Sequence, residues 1–87
     1  MTKVEIYTTA SCSWCLAAKM LLKSRGFDYE EIRVDTDPAR LTEMLGRSQK
    51  RSVPQIYIDG RYIGGYEELV AADHAGTFAQ PSAGGAA

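Results

Sequence analysis

The stretch Val4-Glu5-Ile6-Tyr7-Thr8-Thr9-Ala10-Ser11-Cys12-Ser13-Trp14-Cys15-Leu16-Ala17-Ala18-Lys19-Met20-Leu21-Leu22 decides the fold. Val4 to Thr8 alternates apolar with polar residues, the period of a strand. Thr9-Ala10-Ser11 is a short connection. From Ser13 the period becomes helical: Ala18, Leu21 and Leu22 share one face, and Lys19 and Lys23 another. Gly26, after Arg25, supplies a residue free to take positive φ at the helix end. A strand therefore feeds a helix, and a cysteine pair sits where the helix begins.

Working outward, Phe27 to Val34 reads as a second strand, with Ile32 and Val34 on one side and Glu31 and Arg33 on the other. Asp37-Pro38 is a helix start, since Asp37 caps and Pro38 loses nothing at the first helical position. Leu41, Met44 and Leu45 form the buried stripe of that helix, which ends near Gly46 to Ser48. Gln49-Lys50-Arg51-Ser52 is a polar loop. Val53-Pro54 opens a third strand, Gln55 to Ile58. Asp59-Gly60 is a strong hairpin signal, returning as Arg61-Tyr62-Ile63. Gly64-Gly65 breaks that strand, and a last helix runs from Tyr66 to Ala75, with Tyr66, Leu69 and Val70 inward and Gly76 at its end. The order β-α-β-α-β-β-α, with a parallel first pair and an antiparallel last pair, predicts a thioredoxin-like α/β fold: a four-stranded mixed sheet with three helices. One domain is expected over residues 1–79, and a disordered tail over 80–87, which lacks large apolar residues.

Composition narrows the function. The chain has 87 residues, 45% hydrophobic and 24% charged, with a net charge of −1. Such a balance argues against nucleic acid and against a polybasic membrane anchor as partners. No apolar run is long enough to span a bilayer, and the N-terminus has no signal-like apolar region, so a cytoplasmic chain is expected. Cys12 and Cys15 are too few for a four-cysteine zinc site, and His74 is far away in sequence. A close pair in a reducing compartment points to redox chemistry.

Cys12 stands where the N–H groups of a helix start and the helix dipole favour negative charge, which depresses its pKa and stabilises the thiolate. Cys15, one turn in, is expected to be more buried and to hold its proton better. Cys12 therefore attacks and Cys15 resolves. The competing readings of the pair are inert buried thiols or half of a metal site.

At this point the chain resembles the glutaredoxin family, in particular its short bacterial dithiol members. The likeness covers residues 3 to about 78. It rests on Val4 to Thr8, on Cys12-Ser13-Trp14-Cys15, on Ser52-Val53-Pro54-Gln55-Ile56-Tyr57-Ile58-Asp59-Gly60 and on Ile63-Gly64-Gly65-Tyr66-Glu67-Glu68-Leu69. The resemblance implies glutathione-dependent reduction of protein disulfides and of glutathione mixed disulfides, with glutathione as co-substrate and oxidised or glutathionylated proteins as partners. Val53, before a cis Pro54, would pair its backbone with the cysteinyl part of glutathione, and Ser52 precedes it in the same segment. Gly65, Tyr66 and Glu67 would hold the γ-glutamyl end at a helix N-terminus, with Glu67 also pairing the ammonium. Arg47 would meet the glycine carboxylate; its other reading is a solvated surface charge. From the residues alone, Pro54 reads equally as an ordinary trans edge-strand proline, and Gly64-Gly65 as a plain turn.

Three positions depart from the family pattern. Ser13 and Trp14 replace the Pro and Tyr of Cys-Pro-Tyr-Cys, and Trp14 keeps an aromatic wall beside the thiol. Thr9 stands where many relatives carry a lysine, a loss that Lys50 or Arg51 makes up in part. Tyr57, Tyr62 and Phe27 read as packing residues, and His74 as a helix-end surface residue. The expected species is a monomeric enzyme. Two alternatives remain: a dimer holding a [2Fe-2S] cluster through Cys12 and glutathione, which Ser13 makes conceivable, and a hydrogen donor served by thioredoxin reductase, which Ile63-Gly64-Gly65-Tyr66 disfavours.

Overall fold

A computed structural model of the chain describes residues 3–76. The elements run β1 (Val4–Thr8), α1 (Ser13–Ser24), β2 (Tyr29–Arg33), α2 (Pro38–Ser48), β3 (Gln55–Ile58), β4 (Arg61–Gly64) and α3 (Tyr66–Ala75). That is the thioredoxin-like order expected from the sequence. The domain end expected at residue 79 and the tail 80–87 lie outside the described residues.

The sheet order is β2-β1-β3-β4. β1 runs parallel to β2 and antiparallel to β3, and β3 pairs antiparallel with β4. The β3–β4 turn has φ of 52° at Asp59 and 81° at Gly60, the two positive values a tight hairpin needs to match strand twist. Asp59 also ties the hairpin to the start of β1. The Lys3 N–H donates to its carboxylate, and its own N–H donates to the Lys3 carbonyl, both at 2.8 Å.

Strand alternation splits the core into two layers. Val4, Ile6, Ile56 and Ile58 pack with Ala18 and Leu22 of α1, Leu69 of α3, and Phe27. On the opposite face, Tyr7, Tyr57 and Ile32 pack with Val34 and Met44 of α2. β1 is thus covered on both sides, which fixes the strand that leads into the cysteine pair.

Two boundaries and one buried stripe differ from the sequence reading. β2 begins at Tyr29, not Phe27, because Phe27 belongs to the end of α1. Gly26 takes φ 84°, its N–H bonds the Lys23 carbonyl, and the Phe27 N–H bonds the Leu22 carbonyl, both at 3.0 Å. This is the paired C-terminal closure of a helix, and it drops the Phe27 ring into the core. The second difference is at Gly64, which still belongs to β4 and pairs with Ile56 across a local register shift, so that the break falls at Gly65, the N-cap of α3. Finally, only Met44 of the α2 stripe is fully buried, while Leu41 and Leu45 are partly covered.

Candidate active site

Cys12 is the N-cap of α1, and the Cys15 N–H points at its sulfur at 3.0 Å. No acidic residue stands in the first turn of α1 to oppose negative charge there. Cys12 and Cys15 are joined as a disulfide, with Cα atoms 5.2 Å apart. Cys15 is 1% exposed whereas Cys12 is half-buried. Cys15 is thus the more buried of the two, as its place one turn into the helix led us to expect.

The loop carrying Cys12 is tied to the far side of β2. Asp35 accepts from the Ala10 N–H at 2.9 Å and from the Arg33 guanidinium through two contacts of 2.7 Å. The Arg33 contact first, and the Ala10 N–H second, hold the Asp35 carboxyl well below its ordinary value. Glu31 accepts from Lys19 of α1 at 2.9 Å and from Thr8 at 2.7 Å. The Lys19 contact is the largest influence lowering its pKa.

Beside the disulfide lies an open groove of about 420 Å³. Its floor is Ser52, Val53 and Pro54, and the Val53–Pro54 peptide is cis. Cys12 stands at its margin, its sulfur 3.9 Å from the Val53 carbonyl oxygen. Gly65, Tyr66 and Glu67, at the start of α3, form one wall. Trp14 stacks against Tyr66 with ring centroids 5.3 Å apart and stays 60% exposed. Its ring closes the groove on the cysteine side.

The groove therefore gathers Trp14, Ser52, Val53, Pro54, Gly65, Tyr66 and Glu67 of the expected residues, next to Cys12 and Cys15. Arg47 is not brought there. It turns toward the sheet, donating to the Tyr7 hydroxyl at 3.0 Å and to Glu5 at 3.3 Å, and lies 3.8 Å over the Tyr57 ring. These partners face α2, so a guanidinium in the last turn of that helix meets them before it reaches the groove. The cation that does line the groove is Lys50, with its Nζ 5.7 Å above the Tyr62 ring. Tyr62, Ile63, Gly64 and Glu68 also contribute. Tyr62, expected to pack in the core or on the sheet surface, stands on the edge strand β4 and also lines the groove. Glu68 accepts from the Gly65 N–H at 2.8 Å and so caps α3.

Among the described residues, no three His, Cys, Asp or Glu side chains gather as a metal site. Cys15 is buried and paired with Cys12, which is the more accessible cysteine of the two. The cluster-bridged dimer finds no support among the described residues. Among the same residues, no helix is long and apolar enough to cross a membrane.

Comparison with known proteins agrees with this geometry. The glutaredoxin family model matches residues 4–63. The chain is 45% identical over 76 residues to glutaredoxin 3 of Escherichia coli strain K12, covering 87% of this chain and 92% of that one. The solution structure of glutaredoxin from Brucella melitensis superposes with a TM-score of 0.75 at 36% identity, over 88% of this chain and 84% of the other. A buckwheat glutaredoxin–glutathione complex shares the fold with a TM-score of 0.76 at 24% identity, over 86% and 71% of the two chains. A cysteine pair bonded at a helix start, a groove beside it and matches of this extent lead to one conclusion: the chain belongs to the glutaredoxin family and is a thiol–disulfide oxidoreductase.

Proposed function

We propose that the protein reduces glutathione mixed disulfides and protein disulfides at the expense of glutathione, as a monomer in the cytoplasm. The observation that carries this reading is the polarity of the groove beside Cys12, with a helix start and Glu67 at one wall and Lys50 at another. Glutathione has a carboxylate at each end and one ammonium. Its γ-glutamyl carboxylate suits the first-turn N–H groups of Tyr66 and Glu67, which have no partner within their helix. Gly65 serves here through its backbone, its N–H being already committed to Glu68. Glu67 pairs the ammonium, and Lys50 takes the glycine carboxylate in place of Arg47. The Val53 backbone holds the cysteinyl unit, next to the Cys12 sulfur. A buckwheat glutaredoxin of the same fold has been solved in complex with glutathione.

The chemistry is two-electron thiol–disulfide exchange. In the reduced protein, the Cys12 thiolate attacks the glutathione sulfur of a mixed disulfide. The target leaves as a thiol, and a Cys12–glutathione disulfide forms. A second glutathione thiolate attacks that glutathione sulfur, giving glutathione disulfide and restoring the Cys12 thiolate. With a protein disulfide, Cys12 forms a mixed disulfide and Cys15 then attacks the Cys12 sulfur. The dithiol target leaves, and the Cys12–Cys15 disulfide remains. Two glutathiones in succession return it to the dithiol.

The test is a pair of coupled assays on one glutathionylated peptide, one recycling with glutathione and glutathione reductase, the other with thioredoxin reductase. Turnover is expected with glutathione. Turnover with thioredoxin reductase alone would overturn the assignment.

A further inference from the structure

Gln55 opens β3 opposite Tyr7, on the α2 side of the sheet, and is completely buried. Its apolar neighbours Ile56, Tyr57 and Ile58 show what this strand otherwise places inside. The Gln55 amide nitrogen donates to the Lys50 carbonyl at 3.0 Å and to the Ser52 carbonyl at 2.8 Å. Both of its N–H bonds are therefore committed to the loop between α2 and β3. Its oxygen, Oε1, is buried and has no partner among the described residues. A buried amide with an unpaired carbonyl costs stability relative to an apolar side chain of the same shape. What this amide does in return is reach from the rigid sheet into the loop and hold two of its carbonyls. Lys50, Ser52 and Val53 of that loop line the groove, and the Val53 carbonyl faces Cys12.

We propose that Gln55 is a positioning residue: its amide sets the loop from Lys50 to Val53 so that the groove is formed before glutathione arrives. The inference rests on the glutathione reading above. It follows from preorganisation, since a loop fixed in its bound geometry loses less freedom on binding. Gln55 touches no substrate and takes no part in sulfur exchange, so its effect falls on binding and leaves the chemical step alone.

The experiment compares wild type with Gln55→Met, which keeps the length and removes both donors. The probes are one peptide as its glutathione mixed disulfide and the same peptide as its cysteine mixed disulfide. The expected result is a KM for the glutathionylated peptide raised about tenfold, with kcat within about twofold of wild type. KM for the cysteinylated peptide, which lacks the γ-glutamyl and glycine ends, should rise by no more than about threefold, and the alkylation rate of Cys12 should not change. An unchanged KM in a variant whose wild type prefers the glutathionylated peptide overturns this inference alone. A joint fall in kcat and in Cys12 alkylation overturns it too, by showing a general structural defect. A wild type that treats both peptides alike overturns the glutathione reading and this inference with it. Should Gln55→Met not fold, the Cys15→Ser protein with glutathione bonded to Cys12 gives a second measurement. There the Gln55 amide protons should exchange with solvent about tenfold more slowly than in the unmodified Cys15→Ser protein. Equal rates overturn the proposal.

Discussion

At the scale of single residues, the two cysteines differ by position. Cys12 caps a helix at the groove margin, while Cys15 is buried behind it. Cys12→Ser is expected to abolish all turnover. Cys15→Ser should keep deglutathionylation and lose reduction of protein disulfides that need a resolving thiol. Activity on both substrates, measured side by side, checks the division. Two cations separate in the same way. Arg47 stacks on Tyr57 and bonds Tyr7, so Arg47→Ala should lower the free energy of unfolding by about 1–3 kcal/mol, read by urea denaturation. It should leave KM for glutathionylated substrate near that of wild type. Lys50→Glu should do the reverse, raising KM about three- to tenfold with little change in stability. A stable Arg47→Ala protein with a raised KM would return Arg47 to the groove. The resemblance points to Arg47 as the cation for a glutathione carboxylate, but its own segment does not tell whether its guanidinium turns to a groove or to the sheet. That choice depends on α2 packing its last turn against Glu5, Tyr7 and Tyr57, residues distant in the chain.

At the scale of elements, the junction from β4 to α3 has little tolerance. Gly64 has φ 123°, and a Cβ there would stand 2.7 Å from Cγ of Glu68, the side chain that caps α3. Gly64→Ala is expected to cost about 2 kcal/mol or more, through both the strained backbone and the displaced cap. Gly60 also has positive φ, 81°, but nothing lies within 4 Å of a Cβ built on it. Gly60→Ala should therefore cost only about 1 kcal/mol, the backbone part alone. Thermal melts of the two variants compare them; equal shifts would remove Glu68 from the account. Elements marked by local chemistry were legible in the sequence. Asp37-Pro38 starts α2, Asp59-Gly60 turns the hairpin and Gly76 ends α3. Phe27 was not legible as part of a helix closure, because an aromatic ahead of a β-rich run has the pattern of a strand. Gly64 misled for a related reason: glycine pairs signal a break but not which member makes it.

At the scale of the whole molecule, carboxylates fasten elements to one another. Glu31 joins β2 to Lys19 of α1, and Asp35 holds the loop ahead of Cys12. Glu43 takes the Tyr7 hydroxyl and so joins α2 to β1, while Asp73 ties α3 to Arg25 at the end of α1. Each has its pKa lowered, the first cause being the contact with Lys19, Arg33, Tyr7 or Arg25 respectively. The folded form therefore binds fewer protons than the unfolded chain. The stability these groups supply is complete above the ordinary carboxylate values of 3.8 and 4.5, and is lost as pH falls through the lowered ones. The urea midpoint is expected to stay level near neutrality and to fall steadily in acid. A midpoint at about pH 3 equal to that at neutrality would show that these contacts add no stability.

The sheet order carries a consequence for the making of the chain. β1 lies inside the sheet, and one of its two neighbours is β3, which ends at Ile58. A nascent chain halted at Ser52 has both cysteines and the sequence of both α1 and α2, yet β1 has an empty flank and no Leu69 beneath it. Such a fragment is expected to be digested by protease as readily as a denatured chain, while the full chain resists; a resistant fragment would refute this. Cys12 and Cys15 thus leave the ribosome before the Val53 carbonyl that comes to face Cys12. Through that interval neither cysteine has the settled helix start that Cys12 caps in the folded chain, and the geometry around the pair is completed only after β3 and α3 have been made.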